Sequence, residues 1–168
     1  MKNIDPRELT DNFFEAVGKE WMLVTAGTKE KFNMMTASWG CIGWLWNKPV
    51  AVAFIRPERF THAIIEQQER LTLSFLGDSQ EMRKAYSICG SKSGRDCDKV
   101  KETGLHPVET KGGSMTFEEA RLTLVCRKLY KDTLKEGNFV DKDLTQWYGE
   151  KGGYHDVYVL EIEECLVR

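Results

Sequence analysis

The sequence predicts a mainly β protein with short helices (α+β), an antiparallel barrel with helices attached. Three observations carry this. Strand-like runs recur along the whole chain, the helical segments between them are few and short, and strands and helices do not alternate strictly as a doubly wound parallel sheet requires. A chain of 168 residues buries roughly 70% of its unfolded surface, enough for one self-sufficient core. No repeat, low-complexity tract or Pro/Ser-rich linker divides it, so residues 1–168 read as a single domain that opens with a helix at about residues 8–19.

The elements follow in order. Phe13, Phe14 and Val17 have helical spacing and place a short amphipathic helix over residues 11–19. Strands are expected at residues 22–26, 34–39 and 51–55, with Asn47, Lys48 and Pro49 as the turn before the third. Phe60, Ile64 and Ile65 share a helical face within residues 60–69. Residues 71–76 alternate, with Leu71, Leu73 and Phe75 on one side and Thr72 and Ser74 on the other, as in a half-buried strand. A helix over residues 80–88 ends at Gly90. A polar loop over residues 91–98 leads to a short helix stopped by Gly104. Residues 120–130 and 154–164 have β composition, and a short helix is expected between them at 143–150.

Charge narrows the function. With 24 Lys and Arg against 26 Asp and Glu, the net charge is −2. The chain lacks the basic excess of a nucleic-acid binder. Its longest apolar stretches, residues 39–46 and 49–55, fall far short of the ~20 residues of a membrane span. The first eight residues carry no apolar leader, so the expected location is the cytoplasm. Five cysteines (41, 89, 97, 126 and 165) form no paired motif, and three scattered histidines form no zinc-binding spacing. Neither a disulfide framework nor a metal is expected.

Three segments carry candidate chemistry. In the run Asn33-Met34-Met35-Thr36-Ala37-Ser38-Trp39-Gly40, Thr36 and Ser38 share a strand face, and the small residues let a ligand approach the backbone. A Trp-rich strand at a core or dimer contact explains the same run. In Ile55-Arg56-Pro57-Glu58-Arg59-Phe60-Thr61, two arginines and a threonine stand where a strand gives way to a helix. Free N–H groups and guanidinium forks there suit phosphate oxygens. Surface arginines beside a capping threonine are the plainer alternative. In Ser91-Lys92-Ser93-Gly94-Arg95-Asp96, a polar Gly-containing loop can turn its N–H groups inward around an anion, or simply remain solvated.

In this order the three segments resemble the flavin reductase-like FMN-binding split-barrel family, especially its flavoredoxin-like branch, from about Trp21 to Leu166. The resemblance implies a six-stranded antiparallel split barrel and FMN as cofactor. Thr36, Ala37, Ser38 and Trp39 would lie along the flavin ring and ribityl chain. Arg56, Arg59 and Thr61 would hold the phosphate, with Pro57 and Phe60 shaping the corner. Ser91, Lys92, Gly94 and Arg95 would line the flavin or phosphate edge. It further implies a homodimer with FMN sites at the interface. Many reductases of the family carry a Gly-Asp-His triplet on a late strand, where this chain reads Gly152-Gly153-Tyr154-His155-Asp156. Only His155 is carried over, as a substrate-binding residue, and no residue is assigned as catalytic.

The expected function is an FMN-binding oxidoreductase, an NAD(P)H-dependent flavin reductase. The alternatives are a non-enzymatic FMN electron carrier serving a protein partner and a flavin-free binding module.

Overall fold

Two residues decide the architecture. In the computed structural model, which describes every residue except Lys151, Ser38 and Trp39 alone separate strand β3 (Lys31–Ala37) from strand β4 (Gly40–Leu45). The other strands of the main sheet are β1 (Lys2–Ile4), β2 (Met22–Thr28), β5 (Lys48–Ile55), β6 (Arg70–Phe75), β9 (Leu122–Thr133) and β10 (Asp156–Val167). They pair antiparallel in the order β3-β2-β6-β9-β10-β5-β4, and β1 also pairs with β10. Strands β3 and β4 are thus opposite ends of the pairing order. A two-residue link reaches only about 10 Å, so the ends must meet and the sheet must curl into a barrel with an unpaired seam at Ser38–Trp39.

The class is the expected one, but the barrel sheet has eight strands where the resemblance implied six. The interior is filled from all sides of the barrel, by Val24, Met35, Ala37, Ala53, Ile55, Leu71, Leu73, Phe75, Leu124, Tyr158 and Leu160, among others. Outside it lie the helices α1 (Phe13–Glu15), α2 (Phe60–Gln67), α3 (Gln80–Ser91) and α4 (Lys99–Thr103), and a small hairpin of β7 (Pro107–Glu109) and β8 (Met115–Phe117). A second apolar cluster, with Leu23, Met34, Tyr86, Cys89, Leu105 and Phe117, packs α3 and β8 against β2 and β3.

Several expected elements shift for identifiable reasons. The first helix is α-helical only over Phe13–Glu15 and continues as a π-helical turn over Ala16–Glu20. Phe13 reaches the core, whereas Phe14 is 92% exposed. The turn after β4 is Trp46-Asn47, at φ 51° and 57°. Both residues are left-handed, as a two-residue hairpin requires. Proline cannot adopt that conformation, so Pro49 falls into β5, opposite Trp44. The strand expected at residues 34–39 stops at Ala37, leaving Ser38 and Trp39 in the seam. Helix α3 runs through Gly90 to Ser91. The segment expected as a helix at 143–150 is a 3-10 turn over Lys142–Trp147, and β10 begins at Asp156, after Tyr154 and His155.

Strand β6 is buried on both faces rather than one. Thr72 donates to the Met115 carbonyl at 2.6 Å, and the Ser74, Thr116 and Thr123 hydroxyls form a closed group at 2.7–3.3 Å. The β7–β8 hairpin, which periodicity did not reveal, covers those hydroxyls and satisfies them.

Candidate functional site

The seam opens into a cavity of about 200 Å³ lined by Met35, Thr36, Ala37, Ser38, Trp39, Phe54, Arg56, Arg59 and His155. Two further cavities adjoin it. One shares Thr36 and Ser38 and adds Trp21, Arg83, Tyr86, Ser87 and Gly90. The other shares Arg59 and is lined by Asn33, Phe60, Thr61, Ser91, Lys92, Ser93, Gly94, Arg95 and Lys99, with Glu58 at its rim. All three segments singled out in the sequence therefore meet along one crevice, although about 60 residues separate the first from the last. Pro57 is exposed and lines none of the three cavities.

Local geometry fixes each side chain. Thr36 donates to the Tyr86 carbonyl at 2.6 Å, which ties β3 to α3. Thr61 is buried in the first turn of α2, where its hydroxyl accepts from Asn33 Nδ2 at 2.8 Å. It does not cap the helix: Arg59 is the N-cap residue, and no side chain bonds the first-turn N–H groups. That end keeps its partial positive charge unanswered. Gly94 lies so close to Asn33 that a Cβ there would stand 2.2 Å from Asn33 Oδ1. Only glycine lets the 93–95 turn approach β3 this closely. Ser91 bonds back to the Ser87 carbonyl, and Lys92 pairs with Glu102 at 2.7 Å.

The cations have an unusual set of partners. Arg59 donates to the Cys89 carbonyl at 3.1 Å, and the buried Lys99 donates to the Met34 and Cys89 carbonyls, both at 2.9 Å. Arg95 donates to the Glu58 carbonyl and lies 5.0 Å from the Phe60 ring centre. Arg83 donates to the Lys19 and Glu20 carbonyls. None of these four is within ion-pairing distance of a carboxylate among the described residues. Burial pulls Arg59 and Lys99 below their usual values. Carbonyl oxygens orient such groups without neutralising them, and a nearby anion would stabilise both.

At the other end His155 is buried, 6% exposed, beside Trp39 with ring centres 5.1 Å apart. Its Nδ1 shares a 3.0 Å hydrogen bond with the Tyr148 hydroxyl. Burial first, and then the Arg56 charge, lower its pKa to about 4, so the imidazole is neutral near pH 7. The next residue, Asp156, is held by His62 at 2.7 Å, Thr133 at 2.6 Å and Lys131 at 2.9 Å. This network fixes the start of β10 and hence the place of His155.

Arg56 is likewise bound to carbonyls, here those of the segment between β9 and β10. Its guanidinium donates to the carbonyls of Trp147 at 2.8 Å and Gly153 at 3.2 Å, and lies 5.3 Å from the Tyr148 ring centre. Sequence reasoning gave no role to Lys99, Arg83, Trp21 or Phe54. The signal for Lys99 was its place at the end of the Ser91–Lys99 pattern; its burial against the Met34 and Cys89 carbonyls was not legible there.

Known proteins place this arrangement. The model of the flavin reductase like domain matches residues 14–168. An FMN-binding protein from Thermus thermophilus with bound p-hydroxybenzaldehyde is 20% identical, with 100% of this chain and 82% of that one covered and a TM-score of 0.67. Flavoredoxin of Desulfovibrio vulgaris (Miyazaki F) is 19% identical, with 88% and 69% covered and a TM-score of 0.67. Nitrilotriacetate monooxygenase component B from Bacillus cereus is 17% identical, with 99% and 81% covered and a TM-score of 0.67. At such identities the likeness is one of fold. No curated protein matches the chain. With the domain model spanning nearly all of the sequence and the barrel matching these structures, the chain belongs to the flavin reductase-like family.

Proposed function

We propose that the chain binds FMN in the crevice at the barrel seam and acts as an NAD(P)H-dependent flavin reductase. The observation that carries this reading is charge. The three adjoining cavities are lined by six cationic side chains, Arg56, Arg59, Arg83, Lys92, Arg95 and Lys99, and by one carboxylate, Glu58. The whole chain is net negative, so this is a local reversal that an anionic ligand would answer.

The residues suit the two ends of FMN. Arg59, the open end of α2, Thr61 and the Ser93–Arg95 turn would hold the phosphate, with Lys99 behind them, and Phe60 would shape that corner. Thr36, Ala37, Ser38 and Trp39 would flank the ring and ribityl chain, with His155 on the substrate side. Ser91 and Lys92 would border the same phosphate end, where they line one cavity with Arg59, Thr61 and Arg95. FMN, when bound, supplies the hydride and electron chemistry; the chain binds, orients and shields it from water. Electrons would come from NAD(P)H or another donor. The family also supports a homodimer with its sites at the interface and a cytoplasmic location. No helix among the described residues is long and apolar enough to cross a membrane.

The exposed Trp39, Trp44, Trp46 and Trp147 favour a second reading, an FMN electron carrier that docks a protein partner. Turnover separates the two. The purified protein should oxidise NADH or NADPH when free FMN is supplied. A yellow protein that oxidises neither is the carrier, and a colourless one that takes up no added FMN ends both readings.

A further inference from the structure

Between β9 and β10 the chain makes an excursion of about 20 residues before Leu134 N–H and the His155 carbonyl close its base at 2.9 Å. A loop of that length beside a cavity needs something to hold it, since its ordering entropy is considerable. Its own packing is aromatic: Tyr148 stacks on Tyr154 at 4.6 Å, and Phe139 lies against both. Its contact with the crevice runs through Trp147, set edge-on to Trp39 at 5.7 Å, and through Tyr148, bonded to His155. This arm therefore braces the two aromatic rings that wall the substrate side.

We propose that Arg56 is the clasp of this arm, a positioning residue for Trp39 and His155, and not a phosphate ligand. The guanidinium spends its fork on the carbonyls of Trp147 and Gly153 and its face on Tyr148. The arm is shaped to receive it: Gly152, at φ 121°, is so close that a Cβ there would stand 2.6 Å from Arg56 Nη1. Glu58 completes the clasp by accepting the Gly153 N–H. Arg59, three residues on, turns instead to the Cys89 carbonyl beside Lys99. The two arginines of one motif thus divide the work: Arg59 faces the phosphate end, and Arg56 holds the wall through which a second substrate meets the ring.

The inference rests on the flavin reading of the crevice, and the test separates the two. The full chain is stripped of flavin and compared as wild type, Arg56→Lys, Arg56→Ala, Gly152→Ala and Arg59→Ala. The readouts are FMN affinity, the rate of tryptic cleavage after Lys135 and Lys142, and the KM for NADH. Lysine keeps the charge but cannot fork or stack. Arg56→Lys and Gly152→Ala should therefore each speed cleavage in the arm about tenfold and raise the KM for NADH, with FMN affinity within about threefold of wild type. Arg59→Ala should weaken FMN about a hundredfold, the loss of a charge-assisted contact, and leave cleavage unchanged. An arm still protected in Arg56→Lys would overturn the proposal. So would Arg56→Ala weakening FMN as much as Arg59→Ala does. If the wild type binds no FMN, the flavin reading fails, and the cleavage rates alone decide the clasp.

Discussion

His155 shows how a single side chain ties the site to the stability of the fold. Its ordinary value is 6.5, and burial beside Trp39 and Tyr148 lowers it to about 4. Between these values the unfolded chain binds a proton that the folded chain refuses. Its contribution to stability is therefore complete above pH 6.5 and falls as the pH drops toward 4. Urea unfolding at pH 7 and pH 4.5 should show a clear acid loss in the wild type and a smaller one in His155→Asn. The same loss in both would mean that His155 is not the buried neutral group described. The residue itself was visible in the sequence. Its environment was not, because Trp39 and Tyr148 lie more than 100 residues apart and only the barrel seam brings them to one place. The same is true of Lys99, whose carbonyl partners come from β3 and α3.

At the level of elements, the sequence located β2, β6 and β9 although tertiary structure covers both of their faces, but it misread the second face of β6 and did not find β4. Strand β6 alternates Leu71, Leu73 and Phe75 with Thr72 and Ser74, a pattern that normally means one wet face. The β7–β8 hairpin removes that water and replaces it with the Ser74–Thr116–Thr123 hydroxyl group. Replacing Thr116 by the isosteric valine removes its bonds to both hydroxyls and leaves Ser74 and Thr123 with only the 3.3 Å bond between them. It should cost about 1–3 kcal/mol, measured as a lower urea midpoint with an unchanged slope. A variant as stable as wild type would show that water, rather than the hairpin, satisfies β6. The strands β1, β7 and β8 were missed because three residues carry too little periodicity to read, and β4 because residues 39–46 are apolar throughout and show no alternation. The β4–β5 turn was misplaced because Asn47-Lys48-Pro49 looks like a turn by composition, whereas the hairpin demands two left-handed residues and takes Trp46-Asn47.

For the molecule as a whole, the seam joins fold and site. The sheet must close because its two ends are consecutive in the chain, and Ser38–Trp39 cannot pair at the point of closure. The opening left there is flanked on one side by α2, whose N-terminus is uncapped, and on the other by the arm held at Arg56. The motifs carrying this arrangement were legible as an ordered set in the sequence. Which cation serves which end was not, because that depends on carbonyl partners contributed by α3 and the arm. We propose that the cations around Arg59 and Lys99, which bond carbonyls rather than carboxylates, grip the FMN phosphate. Titrating the flavin-free protein with FMN and with riboflavin, which lacks only the phosphate, tests it most directly. FMN should bind at least about a hundredfold more tightly, the value of one to two charge-assisted contacts, with the gap narrowing as salt is raised. Equal affinities for the two flavins would mean that these cations hold no phosphate.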